Sequence, residues 1–549
     1  MKLHKDPRFW YGLVFVVFIL FRLFFAPSAY FIGGDEAKFL KGALDFPNYA
    51  QWNNQLDLYN PPVLSYLFAI GGWALGDPLR GAQIIELIFA IVLFAYSVKL
   101  FRLLGKSDAW IWIAMLFLSL AHEMIMMAYR LYKEGVYVAF FVMMLYYFLR
   151  AVRGEHKHYL TTAVIGAVTA YTTDHLLLMF PILFLMLFVF KTNKTSFTKA
   201  MICLAVVGIV FTSWLGVKVW VYETNDWYPA GADGTPEYVR DYGLREVLSP
   251  SGFPNTAIMI GNEIELRFAH MASYLAYLMN LEPALMNPDL TYETARQLLS
   301  VKPLLFMLLI YLPLSAIILI GVWASRRFFF TTKPSVRFLQ NNQAFFMAVM
   351  YVILNVFIVY KGFSNRYSLG AAIPLAFFLV EGIAALAKKA QLKLTTVAQV
   401  LLGITLVAVV PMHLMTHTSF FLTMPFEVDG QRTAMFLKSL PEDGIMAQAG
   451  YTPELMWLTH PKRVLSLPRT PEHFEGLLDK YDIQYAVFGE RYWAPPLPEN
   501  KDKVWDYDTI NHIRNHPERF MLIKTITEEY ETMPDDRLSV YRVIEPQKT

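Results

Sequence analysis

The sequence predicts an α-helical, polytopic membrane protein with a soluble α/β domain at its C-terminal end. Three observations predict it. Of 549 residues, 56% are hydrophobic and only 17% charged, less charge than a soluble chain of this length carries. The mean hydropathy is +0.37. The apolar residues fall in long blocks up to about residue 419, after which charge rises sharply.

Blocks long enough to span a bilayer, roughly 20 residues each, lie at 10–29, 80–102, 108–128, 132–152, 199–221, 301–324, 343–361, 366–387 and 395–417. The stretch 158–190 holds two shorter spans broken at "YTTDHL". About eleven spans result. The basic start "MKLHKDPRFW", the apolar run behind it and "APSA" have the layout of a signal peptide, but the segment is expected to stay as the first span.

Sidedness follows from charge. With a cytoplasmic N-terminus, the inner loops hold Lys99, Arg102 and Lys106, then Arg150, Arg153 and Lys157, then Lys191, Lys194 and Lys199, then Arg326, Arg327, Lys333 and Arg337, and finally Lys388 and Lys389. The outer loops hold Asp35, Glu36, Glu123, Glu134, Asp174 and most of 223–300. Basic and acidic loops alternate at every crossing, as the positive-inside rule requires. An odd span count puts the C-terminus outside. The net charge of +3 is therefore a topology signal, and nucleic acid is not an expected partner. The single cysteine, Cys203, excludes an intrachain disulfide and a multi-cysteine zinc site.

Two domains are expected, a membrane domain over 1–419 and an extracytoplasmic domain over 420–549. In the tail, "GIMAQAG", "KRVLSLP", "DIQYAVFGE", "FMLIKTITEE" and "RLSVYRVIE" read as strands. "GQRTAMFLKSL", "TPEHFEGLLDKY" and "DTINHIRNH" read as helices.

The outer loops carry the candidate chemistry. In "FIGGDEAKFLKGAL", Gly33 and Gly34 end the first span, and Asp35 caps a short amphipathic helix whose apolar residues are Phe39, Leu40, Ala43 and Leu44. Helix capping explains one carboxylate and leaves the aromatic-rich, Pro-Pro-terminated remainder of the loop unexplained. In "QLDLYNPPVLSYLF", Asn60 is held extended by the proline after it, and Pro61-Pro62 suits the first turn of a helix. In "IMIGNEIELRFAHMASYLAYLMN", Glu263, Arg267, His270 and Tyr274 form one polar stripe. That stripe fits equally a helix facing a cavity or an interfacial helix with a surface ion pair.

An acidic pair after the first span and, some 25 residues on, a Pro-Pro approach to a membrane-surface helix resemble the GT-C glycosyltransferases that use polyprenyl-phosphate sugars. Within these the chain is most similar to the protein O-mannosyltransferase and lipid A aminoarabinose transferase group. Three further segments carry the resemblance, in order, through about residue 390. "AYRLYKEGVYVAFFVMMLYYFLR" has Arg130 and Glu134 at the outer end of a span. "IGAVTAYTTDHLLLMFPILF" is similar to that group's "G-x-x-x-G-x-x-x-T-K" segment, and "NRYSLGAAIPLAFFLVEGI" to its "R-Y-x-x-P" span, with Arg366 and Tyr367 in place. The chain departs from the pattern twice. Tyr59-Asn60 stands where the aminoarabinose transferases have a Glu-Lys pair, so their phosphate-binding lysine is missing, and Thr173-Asp174 replaces Thr-Lys.

The resemblance implies sugar transfer from a polyprenyl phosphate to a lipid, glycan or protein acceptor at the outer face of the cytoplasmic (inner) membrane. Phosphate is a stable leaving anion, so one general base suffices, and the family's first-loop aspartate matches Asp35. Glu36 and Glu134 complete the acidic set. The leaving phosphate needs cations, and those available outside are Arg130, Lys133, Arg267, Lys361 and Arg366. Arg366 is the first choice because a guanidinium grips phosphate with two parallel bonds. The alternative for each is a cation snorkelling at a span end. Tyr59, Asn60, Asp174, His270 and Tyr367 are the remaining substrate-binding candidates. No cofactor is expected, because the acids are scattered; a divalent metal on Asp35, His122 and Glu123 is the alternative. The competing functions are a lipid-linked glycan transporter or flippase, and an oligosaccharyltransferase-like enzyme.

Overall fold

The computed structural model describes residues 6–25, 34–44, 62–121, 124–125, 131, 133–173, 176, 179–190, 194–224, 313, 315–325, 342–361, 369–411, 430–448, 455, 458–468, 470–489, 506–529 and 534–544. The chain divides into two compact units. One comprises Met1–Ser28, Glu86–Gly216 and Asp241–Met424; the other comprises Ala29–Ile85, Val217–Arg240 and Pro425–Thr549.

The first unit is helical. Its elements are α1 (Pro7–Phe25), most of α4 (Pro78–Leu103), α5 (Asp108–Leu120), α6 (Lys133–Val152), α7 (His158–Ala170), α8 (Met179–Val189), most of α9 (Lys194–Thr224), α10 (Ser315–Ala324), α11 (Gln343–Lys361), α12 (Ala372–Lys389) and α13 (Leu394–Ile404). The second unit opens with α2 (Gly34–Leu44) and α3 (Val63–Leu75). Among the described residues, four stretches are long and apolar enough to cross a membrane: Pro78–Leu103, Lys133–Val152, Lys194–Trp214 and Leu369–Lys389. The break expected at "YTTDHL" is a turn at Tyr171 and Thr172 between α7 and α8.

Contacts between helices give their relative directions. The Tyr11 hydroxyl donates to Asp108 Oδ1 at 2.7 Å and Arg22 Nη1 donates to the Ser119 carbonyl at 3.4 Å, so α1 and α5 run parallel. Met144 of α6 lies against Gly166 and Tyr147 stacks near His158, so α6 and α7 run antiparallel. Tyr159 meets Ser196 and Tyr171 meets Ser213, so α7 and α9 run parallel. These are the directions that strict alternation of spans requires.

Two charged side chains inside the bundle have specific work. Arg22 is 1% exposed. Its guanidinium donates to the carbonyls of Phe18 in α1, Ser119 in the last turn of α5, and Met124 beyond it. Lys106 was expected only to mark an inner loop. Its Nζ lies 2.8 Å from Glu381 Oε1, and Trp110 Nε1 donates to the same oxygen at 3.0 Å. The ammonium also sits 4.4 Å from the centre of the Phe377 ring. A basic loop residue thereby ties the start of α5 to α12. Nearby in the bundle, α10 and α12 touch backbone to backbone: a Cβ on Gly382 would stand 1.9 Å from the Ile317 carbonyl oxygen, the close approach that small residues permit between membrane helices.

In the second unit, strands β1 (Gly444–Ala447), β2 (Arg463–Ser466), β3 (Tyr485–Gly489), β4 (Phe520–Glu529) and β5 (Pro534–Val543) form where alternation predicts them. Helices α14 (Gln431–Ser439), α15 (Pro471–Lys480) and α16 (Tyr507–Asn515) likewise sit on the expected stretches. The sheet order is β2-β1-β3-β5-β4, with β1 parallel to β2 and β3, and β5 antiparallel to β3 and β4. Successive side chains point to opposite faces. Met446, Ala486 and Phe488 pack under α15 and α16 with Phe474, Leu477, Ile510 and Ile513. Ile445, Tyr485 and Val487 pack on the other face with Ala434 and Leu437 of α14. The inner strands β1 and β3 are buried along their whole length, as strands covered on both faces are.

At the edge of that core the Tyr485 hydroxyl donates to Glu442 Oε2, and Arg542 Nη2 donates to Glu442 Oε1 at 2.7 Å. The Tyr485 bond holds the Glu442 carboxyl below its usual range. Burial, and then the bond to Glu442, pushes the Tyr485 phenol up to about 12. A lowered carboxyl pKa stabilises the fold above the ordinary carboxylate range and loses that effect as pH falls through the folded value. A raised phenol pKa stabilises below the ordinary tyrosine range and loses its effect as pH climbs toward about 12. Tyr485→Phe should therefore lower the melting midpoint of the second unit by a few degrees at neutral pH. The difference from wild type should disappear in acid, below the Glu442 titration. Melts of the full-length protein across the pH range check this; a gap that persists unchanged in acid would assign the loss to packing instead.

Candidate active site

Asp35 and Glu36 lie in the first turn of α2. The helix already begins at Gly34, so Asp35 stands inside the turn rather than capping it from outside. The positive end of the helix dipole favours carboxylates there. Positions 35 and 36 are consecutive in the helix, about 100° apart around its axis. The helix is seated by the residues its pattern singles out: Phe39, Leu40 and Ala43 are buried, with Leu64 and Phe68 of α3 buried as well. The Phe39 and Phe68 rings meet edge to face at 6.5 Å.

The approach to α3 differs by one position from expectation. Pro62 is the N-cap, with φ −75° and ψ −20°, and the helix starts at Val63. At its other end Gly76 takes φ 69°, and Asp77 Oδ1 accepts from the backbone amides of Leu79 and Arg80 at 2.9 and 3.1 Å. Asp77 is thus the N-cap of α4, followed by Pro78 in the first turn, the favoured pairing of those residues. The hairpin closes tightly: a Cβ on Gly81 would stand 2.1 Å from the Gly72 nitrogen. Glycine is required there.

In the first unit, Glu134 lies in the first turn of α6 and is 2% exposed. Lys133, beside it, is half-buried. One further acid was not predicted. Glu86 lies on α4, 1% exposed, and neither carboxyl oxygen has a hydrogen-bond partner among the described residues. Glu134 is near enough to act on it electrostatically. A buried polar group with no partner costs about 1–3 kcal/mol, and more if charged. The signal was present in "GAQIIELIFAIVLF", where one acid interrupts an apolar span.

The packing around these acids is consistent between helices. Phe89 meets Phe140 at 5.0 Å, and the Tyr96 and Tyr147 hydroxyls are 2.7 Å apart. Both pairs are separated by 51 positions in the chain, so α4 and α6 run parallel with a constant offset. On that register Glu134 lies about one turn nearer the helix starts than Glu86. Gly370, at the start of the Leu369–Lys389 span, lies against the Phe141 ring, which is on the same stripe of α6 as Glu134.

The expected Arg130, Arg267, His270, Arg366, Tyr367, Tyr59, Asn60 and Asp174 lie outside the described residues, as do His122 and Glu123.

No family model matches the chain, and no curated protein matches it. Among solved structures it is similar to ArnT from Cupriavidus metallidurans in the apo state, with 12% identity over 98% of this chain and 98% of that one, at a TM-score of 0.44. It is also similar to ArnT from Cupriavidus metallidurans bound to undecaprenyl phosphate, with 12% identity over 98% of this chain and 99% of that one, again at 0.44. A third similar structure is the arabinofuranosyltransferase AftD from Mycobacteria, with 12% identity over 99% of this chain and 42% of that one, at 0.46. The likeness runs along nearly the whole chain.

Proposed function

We propose that the chain is an integral membrane glycosyltransferase of the GT-C kind. It transfers a sugar from a polyprenyl-phosphate donor to a lipid, glycan or protein acceptor at the outer face of the cytoplasmic membrane. The observation that carries this reading is the placement of Asp35 and Glu36 in the first turn of a short helix seated on α3, between two apolar spans. A loop acid fixed on a helix suits a base. The ordered motifs through residue 390 support the same reading, as does the alternation of basic and acidic loops, which places the N-terminus in the cytoplasm, about eleven spans in the membrane and residues 420–549 outside.

In the proposed step the acceptor hydroxyl oxygen bonds to the anomeric carbon, the bond from that carbon to the phosphate oxygen breaks, and the lipid phosphate leaves with the electron pair. The hydroxyl proton passes to the Asp35 carboxylate. No acid is needed at the leaving group. Arg366 meets the phosphate charge, filling the role of the lysine that Asn60 replaces.

The test is a transfer assay with purified full-length protein in lipid nanodiscs, a polyprenyl phosphate carrying a labelled sugar, and a cell-envelope fraction as acceptor. Label should move to the acceptor, and free polyprenyl phosphate should appear in equal amount. In sealed vesicles, donor that crosses the bilayer intact with no bond broken would identify a transporter and overturn the proposal.

A further inference from the structure

Glu86 is a carboxyl that the fold does not explain. It sits inside a membrane-spanning helix, is 1% exposed, and has no hydrogen-bond partner on either oxygen among the described residues. Around it α4 and α6 are held together by aromatic contacts, Phe89 on Phe140 and Tyr96 on Tyr147, so an apolar residue at position 86 would suit that seam better. A group kept at such cost without a partner among the described residues is placed to receive one from a bound ligand.

The neighbouring charge narrows what that partner is. Glu134, buried in the first turn of α6, is within electrostatic reach. Glu86 and Glu134 are both buried acids and neither supplies the positive charge that a phosphate needs, so the lipid phosphate is not what Glu86 holds. Carboxyl oxygens accept hydrogen bonds from hydroxyl groups, two lone pairs to each oxygen, and a sugar ring presents several hydroxyls. We propose that Glu86, with Glu134 beside it, binds hydroxyl groups of the transferred sugar and thereby distinguishes the loaded donor from the bare lipid phosphate. This rests on the glycosyltransferase reading and adds a residue for sugar recognition to it.

The experiment measures binding of polyprenyl phosphates carrying a hexose, a pentose or an aminopentose, and of polyprenyl phosphate alone, to full-length protein in nanodiscs. Wild type should bind at least one loaded lipid at least about fivefold more tightly than the bare one. Glu86→Leu should abolish that increment and leave affinity for bare polyprenyl phosphate unchanged. Its melting midpoint should hold or rise, because a partnerless buried acid has been replaced by an apolar side chain of similar size. Glu86→Gln keeps an acceptor oxygen in place and should recover part of the increment. Equal loss of affinity for loaded and bare lipid, an unchanged increment in Glu86→Leu, or no sugar preference in wild type would each overturn the assignment. Should Glu86→Leu fail to fold, Glu86→Gln decides: an increment equal to wild type would overturn it. Wild-type protein that transfers sugar while both Glu86 variants bind normally would sink this inference alone; wild-type protein that neither binds nor transfers would sink the glycosyltransferase reading.

Discussion

Asp35→Asn is expected to slow sugar transfer by about 10²–10⁴-fold, the usual contribution of a positioned general base. The substitution keeps the shape of the side chain, and asparagine is accepted near a helix N-terminus as readily as aspartate, so α2 should remain seated on α3 through Phe39 and Phe68. What is lost is a carboxylate able to take the acceptor's proton. Two readouts separate catalysis from folding: the melting midpoint and the affinity for donor lipid should both stay near wild type while turnover falls. Glu36→Gln is the matched control. It stands at the next helix position, about 100° around α2, and should lose far less. Near-normal turnover in Asp35→Asn, or a dead Glu36→Gln, would demote Asp35 to a helix-terminus acid stabilised by the dipole and would reassign the base.

How far the sequence could be read depended on whether the signal was local. The helix that carries Asp35 was legible because Phe39, Leu40 and Ala43 repeat at helical spacing, and those residues are buried. The strands of the second unit were legible because period-two alternation matches two covered faces: Ile445 and Ala447 go one way and Met446 the other. The turn between α7 and α8 was legible from polar residues interrupting an apolar run. Partnerships across the bundle were not. Lys106 reads as a topology signal until Glu381, 275 positions away, is placed beside it. Arg22 lies in the first apolar block, yet two of the carbonyls it donates to stand about a hundred positions further on. Glu86 differs from these: its type and setting were visible, but its lack of a partner is a property of the folded bundle alone. Of the candidate site, the acids Asp35, Glu36 and Glu134 fall on described helices, while the proposed phosphate cations rest on the sequence.

Those cations give the second large effect. Arg366→Ala should weaken binding of both loaded and bare polyprenyl phosphate by at least about tenfold. A charge-assisted hydrogen bond is worth about 1.5–3 kcal/mol, and one factor of ten in affinity corresponds to 1.4 kcal/mol. The reasoning is one of supply. A leaving phosphate near the membrane requires a cation, and Asn60 occupies the position at which the similar transferases carry lysine. Arg366 belongs instead to "NRYSLGAAIP", directly before the Leu369–Lys389 span. Gly370 in that segment packs against Phe141, seven positions along α6 from Glu134. Arg366→Lys should recover only part of the affinity, because an ammonium offers a point charge in place of a planar fork. The loss should be the same with and without the sugar, which separates Arg366 from Glu86, whose variants should affect the loaded lipid alone. If Arg366→Ala binds bare polyprenyl phosphate as wild type does, the phosphate belongs to Arg130 or Arg267, and the same titration on those two variants would show which.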